Sequence, residues 1–357
     1  NTTLGATNKV DGIKNLTNGV DNKVSGNYNT TSGERNKVSG HNNETSGNEN
    51  EIKGNFDVTV GGRNKIAGLD NATTGNENKV TGDYNRTFGE KNTVVASNSS
   101  TIGNVNDISG DYHKTVGEKN TVKGHNNATT GNQNRVTGNE NSTLGDKNTV
   151  KGENNTTSGK LNRVEGKDSY VAGRANANIG DNNVTDGIYN KVNGNDNLAS
   201  GRSNDVNGSN NSVSGLVNRV EGNLNTVDGT DNKVFGKNNI ASGKNNIVNG
   251  DNTTSNGRDN EVSGNNSVAY GNENIVKGDK NTAIGKSNDV MGNNSYASGD
   301  GNAVSGEKAI GSGIENKVTG DNSLAYGRAN EINGDKSSVL GADNKINGNN
   351  NLALGNE

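Results

Sequence analysis

Residues 266–278 read NSVAYGNENIVKG: two phrases, each opening on Asn and closing on Gly, with small and aliphatic residues between. Followed outward in both directions, the Gly recurs at every seventh position from Gly5 to Gly355. Among these 51 positions only Ala96 departs from Gly, and only Gly62, Gly301 and Gly311 lie off the grid. No insertion or deletion disturbs the register, so internal repetition governs the fold.

When each heptad is written to end on its Gly, the third position is Asn in 41 of 51 copies, and two kinds of heptad alternate. One reads x-x-N-x-V-x-G, as at Asn22-Lys23-Val24-Ser25-Gly26, with Val or Ile at the fifth position everywhere except Asn178. The other carries Thr at the fifth position in the first half, as at Asn127-Ala128-Thr129-Thr130-Gly131. From Val171 onward that position is mostly Ala or Val. The repeating unit is therefore 14 residues, stacked about 25 times.

A seven-residue period raises the possibility of a coiled coil. It fails here, because a Gly in every heptad costs about 1 kcal/mol relative to Ala in a helix and each heptad has one regular apolar position. The third, fourth and fifth positions instead alternate in, out, in, as a strand requires. Two short strands and two Gly turns make one coil of an all-β, parallel β-solenoid. Coils ~4.8 Å apart give a rod on the order of 120 Å long. Gly is expected to supply positive φ at each turn, and the Asn after it to bond the turn backbone and its own copies above and below.

Bulk composition alone points away from a folded domain: 25% of residues are hydrophobic and 3% aromatic, the signature of a chain that stays disordered. Strict periodicity overrides that reading. Each coil still buries only two aliphatic or Thr side chains, so ladder hydrogen bonds and burial against another chain are expected to contribute. With no Cys, disulfides and thiolate chemistry are excluded. A net charge of −4 argues against nucleic acid, and no apolar run approaches a membrane span. The chain begins mid-pattern, as a mature fragment of a longer protein would.

The outward positions of the two strands differ. In the Val-type heptads they are mostly charged: Lys9, Lys23, Lys37, Glu51, Lys65, Lys79, Arg135 and Arg163. This stripe could hold an acidic glycan, but a solvated surface with Glu34, Glu77 and Glu90 as neutralisers is the simpler reading. In the other heptads the outward residues are often apolar: Val58, Val60, Phe88, Ile102, Val116, Leu144, Val268, Tyr270, Ile284, Leu324, Tyr326, Leu340, Leu352 and Leu354. An apolar stripe of this kind marks an association surface, with self-association as the first reading.

The phrases Asn266-Ser267-Val268-Ala269-Tyr270-Gly271, Asn322-Ser323-Leu324-Ala325-Tyr326-Gly327 and Asn351-Leu352-Ala353-Leu354-Gly355 resemble the NSVAIG head repeat of trimeric autotransporter adhesins, the YadA-like family. The resemblance implies a left-handed β-roll in a homotrimer, with the outward aliphatic residues at the trimer centre. It also implies a bacterial cell-surface head, held to the outer membrane through a stalk and anchor outside this stretch, that binds a host receptor or matrix protein and supports virulence. On this reading 1–357 is one head domain, with Thr-type coils over 1–166 and Ala/Val-type coils over 167–357.

Tyr28, Phe56, Tyr84 and Tyr112 recur every 28 residues at a turn position and are the candidate receptor contacts. The alternative is a copied duplication, since Asp83-Tyr84 and Asp111-Tyr112 repeat together. Ala96, Asn178 and the heptad Glu307–Gly313 are faults in the pattern, read either as kinks or as drift. The N-x-S/T sequons follow from the period, with the Thr inward. Only His41, His113 and His125 could serve acid–base catalysis, and 51 uninterrupted heptads leave no enclosing loop. No enzyme, no cofactor and no metal site is therefore expected. Adhesion is the leading function. The alternatives are a passive surface rod and an ice-binding solenoid, the last disfavoured because the regular Thr points inward while outward neighbours vary.

Overall fold

A computed structural model describes residues 1–356. The chain divides into two compact units, Asn1–Asn176 and a second beginning at Ala177. Both are parallel β-solenoids of 14-residue coils, about 25 coils in all, and the described residues contain no helix.

In the first unit one sheet runs from Thr2–Leu4 to Tyr170–Arg174 and the other from Lys9–Asp11 to Arg163–Lys167. In the second, the corresponding sheets run from Val184–Ile188 to Leu352–Asn356 and from Ala177–Ile179 to Lys345–Asn347. We call these the Thr/Ala sheet and the Val sheet after their inward residues. The register is 14 residues: Val80 lies between Ile66 and Val94, Thr87 between Thr73 and Thr101, and Ala283 between Ala269 and Ala297. Strands such as Lys79-Val80-Thr81 alternate exposed, buried, exposed, so the β-branched centre fills the interior while its neighbours face out. In the first unit a Val/Ile column, Val24 to Val164, is buried with the Thr column facing it; in the second, the Val column meets Ala and Val.

The thin interior is reinforced by an asparagine ladder. Asn92 shows the pattern: its backbone N–H and Nδ2 both donate to Asn78 Oδ1 at 3.1 and 3.0 Å, and Nδ2 also donates to the Gly103 carbonyl at 2.7 Å. Its own Oδ1 receives the backbone and side-chain N–H groups of Asn106, each at 3.0 Å. A buried amide is thereby saturated and three coils are tied together. Where Ser replaces Asn, as at Ser295, the hydroxyl makes the same bond to the next glycine carbonyl, Gly306, at 2.7 Å. A second ladder lines the turns, where an Asn or Asp side chain accepts the N–H of the residue 14 earlier, as Asn104 does from Glu90 at 2.9 Å.

Positive φ is divided between two turn positions, where the sequence points only to Gly. Gly131 lies at φ 118°, and two residues on, Gln133 lies at 57°. Among the described residues, the second residue after each heptad-closing position lies at φ 53° to 62°, except that Gly301 takes the slot at 67°. Asp, Asn and Glu are common there, but the slot also holds Val105, Leu161, Val217, Leu224 and five aromatics. Left-handed backbone costs such residues about 1–2 kcal/mol each. The slot has no fixed residue type, so residue spacing alone does not reveal this strain.

None of the three faults breaks the register. Ala96 is buried without a positive φ, and Thr93–Val95 stays paired with Lys79–Thr81 and Asp107–Ser109. Asn178 is buried in the inward slot and its Oδ1 accepts from Asn183 Nδ2 at 2.9 Å. In the heptad Glu307–Gly313, Ile310–Ile314 pairs on both sides. Gly311 occupies the inward slot, and a Cβ there would lie 2.8 Å from Val304 Cγ2, so the opposite column has closed over the missing side chain.

A buried hydroxyl ordinarily needs a hydrogen-bond partner, and the inward Thr hydroxyls have none. Eleven of them, from Thr17 to Thr157 in the first unit, are buried with no hydrogen-bond partner. Coils ~4.8 Å apart hold neighbouring hydroxyls beyond bonding distance, and the facing column is Val. The same slot accepts Val213, Val227 and Val339 in the second unit at 2% exposure or less. Thr87→Val should therefore raise the denaturation midpoint, by roughly 1–2 kcal/mol of stability. A chemical melt of the two chains side by side measures it; a loss of that size would mean the hydroxyl is satisfied in solution.

Candidate functional face

The two outer surfaces differ in charge. On the Thr/Ala sheet, only Glu44, Arg86 and Lys114 in the first unit and Asp186 and Asp228 in the second are charged outward-facing residues of the strands' central triplets. On the Val sheet, all rungs carry a charge at these positions except Thr93–Val95, Ala177–Ile179, Ile247–Asn249 and the rung of Ala303 and Ser305. The uncharged stretch is longest in the second unit. From Ile240–Lys244 to Leu352–Asn356, nine successive rungs present pairs such as Ile240/Ser242, Thr282/Ile284 and Ile310/Ser312. Charges such as Lys244, Arg258 and Lys286 lie past the Gly, at the ends of the strands.

The apolar residues singled out from sequence all lie on this sheet. Val58, Val60, Phe88, Ile102 and Leu144 in the first unit are exposed and Val116 is half-buried. In the second unit Tyr270, Ile284, Tyr326, Leu340, Leu352 and Leu354 are exposed, and Val268 and Leu324 half-buried. Choosing only aliphatic and aromatic residues missed the Ser and Thr partners in the same rungs; the absence of charge was the signal that would have found them. Tyr28, Phe56, Tyr84 and Tyr112 are also exposed, but on a turn edge of the first unit, away from this surface.

On the Val sheet, strand carboxylates neutralise the lysines. Glu165 accepts from Lys151 at 3.0 Å and from Arg163 at 2.9 Å, which hold its carboxyl below the usual range. Glu331 is drawn down to about 2 by the Asn333 amide first, then Lys345 and Lys317. These ion pairs are exposed and add little stability. The neutralisers expected from sequence sit elsewhere: Glu34 ends the strand Thr30–Glu34 of the other sheet, Glu77 and Glu90 are turn residues, and of the three only Glu77 is ion-paired, to Arg63 at 2.7 Å and Lys91 at 3.9 Å.

Two titratable residues interrupt the buried Asn ladder of the first unit. His113 takes an Asn slot: its Nε2 lies 3.1 Å from the Ser109 carbonyl, and Nδ1 accepts the Asn127 N–H at 3.2 Å. That pairing requires the neutral ring with the proton on Nε2. Burial, the largest cause, lowers its pKa, so His113 contributes stability above the ordinary histidine range that is lost as pH falls. Asp57 takes another Asn slot. Its Oδ1 accepts the N–H and Nδ2 of Asn71 at 2.9 and 3.0 Å, while Oδ2 is buried without a partner. Burial pushes its pKa up to about 6.

A family model described as the grass antifreeze beta roll matches residues 10–103, 87–173 and 262–357. No curated relative matches the chain. The match overturns the resemblance to trimeric autotransporter adhesins, and the virulence expectation that hung on it. The cause is physical. Gly at the turn, Asn after it and a small aliphatic residue inside are what any 14-residue solenoid of this kind requires, so NSVAYG reports the fold and not the ligand.

Proposed function

The chain belongs to the grass antifreeze beta-roll family, and on that premise we propose that it binds ice through the uncharged outer face of the Thr/Ala sheet. The supporting observation is the run of nine rungs without a central charged side chain in the second unit, seven of which fall within the matched segment 262–357. Outward residues there form a grid of about 4.8 Å between coils by about 7 Å along a strand. Uncharged side chains, mostly Ser, Thr and aliphatic with Asn256, Tyr270, Tyr296 and Tyr326 among them, stand on a hydrogen-bonded backbone that holds the grid in register. Lys and Arg side chains would be mobile and would orient water around their own charge.

The inward Thr column weighs against ice binding only if that column is the contacting array. Thr87, Thr101 and their copies are buried, so the contact in this reading belongs to residues four and six of each heptad. Variation among Ser, Thr, Asn, Val, Ile, Leu and Tyr at these positions is tolerable so long as charge stays out.

The test is thermal hysteresis and inhibition of ice recrystallisation by the intact chain. Ile284→Lys with Leu340→Lys, both at exposed positions, should lower either activity by an order of magnitude without changing the melting midpoint. Asn249→Lys on the Val sheet should leave it unchanged. An inactive parent chain, or equal effects on both sheets, would sink the proposal. A homotrimer formed through the same aliphatic residues would cover the face, so a light-scattering mass of three chains would also count against it.

A further inference from the structure

In the first unit, the turns leading from the Val sheet into the Thr/Ala sheet carry Tyr28, Phe56, Tyr84 and Tyr112 in the left-handed slot, at φ 59° to 61°. Each is about half exposed, 48–54%. The intervening coils place Asn42, Asp70 and Asn98 in the same slot, residue types that tolerate this backbone. The fold therefore does not need the aromatics, and strain maintained at four alternate coils points to use. Duplication accounts for the shared Asp-Tyr of two copies but not for Phe56, which follows Asn55.

Clefts lie beside these rings. One of about 370 Å³ separates Tyr28 from Phe56, walled by His41, Asn42 and Asn55. Another of about 410 Å³ lies beside Tyr84, with Asp70, Arg86 and Asn98. Tyr112 is braced edge-on by the His125 ring, with centroids 5.1 Å apart. The polar groups along the edge are amides and charges of both signs, which disfavours a polyanion. We infer that this edge binds a neutral, linear β-1,4-linked glycan, its sugar rings stacking on the four aromatics while Asn42, Asp70, Arg86 and Asn98 hydrogen-bond its hydroxyls. The periodicities agree: such a ribbon turns the same ring face outward at every second sugar, and the aromatic recurs at every second coil, about 9–10 Å. Aromatic anchors carry the apolar contact and fixed polar groups the specificity.

This site is independent of the ice-contacting sheet, so each can fail alone. The test is co-sedimentation of the full chain with microcrystalline cellulose and with chitin, with α-linked dextran beads as control, repeated for the variant Tyr28→Asn, Phe56→Asn, Tyr84→Asn and Tyr112→Asn. Asn is a native occupant of the slot, so the variant should melt no lower than the parent. Retention of the parent on cellulose or chitin but not dextran, with affinity falling roughly tenfold or more in the variant, is the expected result. No retention on either β-1,4 polymer, equal retention on dextran, or equal retention of parent and variant would overturn the inference. Ice-recrystallisation inhibition should be the same in both chains.

Discussion

Asp57→Asn should stabilise the chain by about 2–3 kcal/mol above pH 6 and by little near pH 4. In the Asn ladder, the side-chain amide at each slot donates to the Gly carbonyl eleven residues on, as Asn50 does to Gly61 and Asn64 to Gly75, both at 2.7 Å. At Asp57 that acceptor is the Gly68 carbonyl by register, and the group facing it is Oδ2, which has no donor to offer when ionised. A protonated carboxyl restores the donor. The carboxyl's pKa is raised from 3.8 to about 6 in the folded chain, with burial as the main cause. A raised pKa means that the folded state binds the proton more tightly than the unfolded one. The contribution is therefore greatest below about pH 4 and is lost as pH rises through about 6. Denaturant midpoints at half-unit steps from pH 4 to 8 should show this slope in the parent and not in the variant. His113 slopes the other way, so the comparison at Asp57 is read as a difference between the two chains. An identical pH profile for both would show that Asp57 is already satisfied.

Gly131→Ala should be among the most damaging single substitutions in the first unit, costing about 3–5 kcal/mol. A Cβ at Gly131 would lie 2.0 Å from the carbonyl oxygen of Gly145 and 2.7 Å from its carbon. Both atoms are backbone of the next coil and cannot rotate away, and φ 118° is itself poor for Ala. Relief requires separating two coils, which would also strain the bond from Asn134 Nδ2 to the Gly145 carbonyl, now 2.6 Å. Ala96 is the natural contrast: it holds the heptad-closing position at a φ that Ala tolerates. Ala96→Gly should accordingly change stability by less than about 1 kcal/mol, through unfolded-state entropy alone. Comparable midpoints for Gly131→Ala and the parent would mean the coils are far less tightly stacked than described.

Much of the fold was legible in the heptads. Val80 and Thr87 had to point inward because only one residue per strand is consistently small or aliphatic, and Asn92 had to ladder because every neighbouring coil offers the same amide. The face opposite was harder to read. Attention to Val268, Tyr270 and Leu324 singled out the sheet on which the proposed ice-binding face lies, but as a subunit interface and without noticing that the surface is distinguished by its lack of charge. The resemblance misled for a related reason: it rested on residues that any such solenoid needs.

By itself the sequence determined the 14-residue coil, the inward columns and the two unlike faces, because a period of seven with Gly and Asn at fixed places admits one way to alternate sides. Only the tertiary structure decided which turn residues carry the left-handed strain, that the Thr hydroxyls go unpaired, and that Asp57 Oδ2 is left without a donor. Those outcomes depend on how the backbone of one coil lies against the next, within a few tenths of an ångström, and residue spacing does not encode that distance.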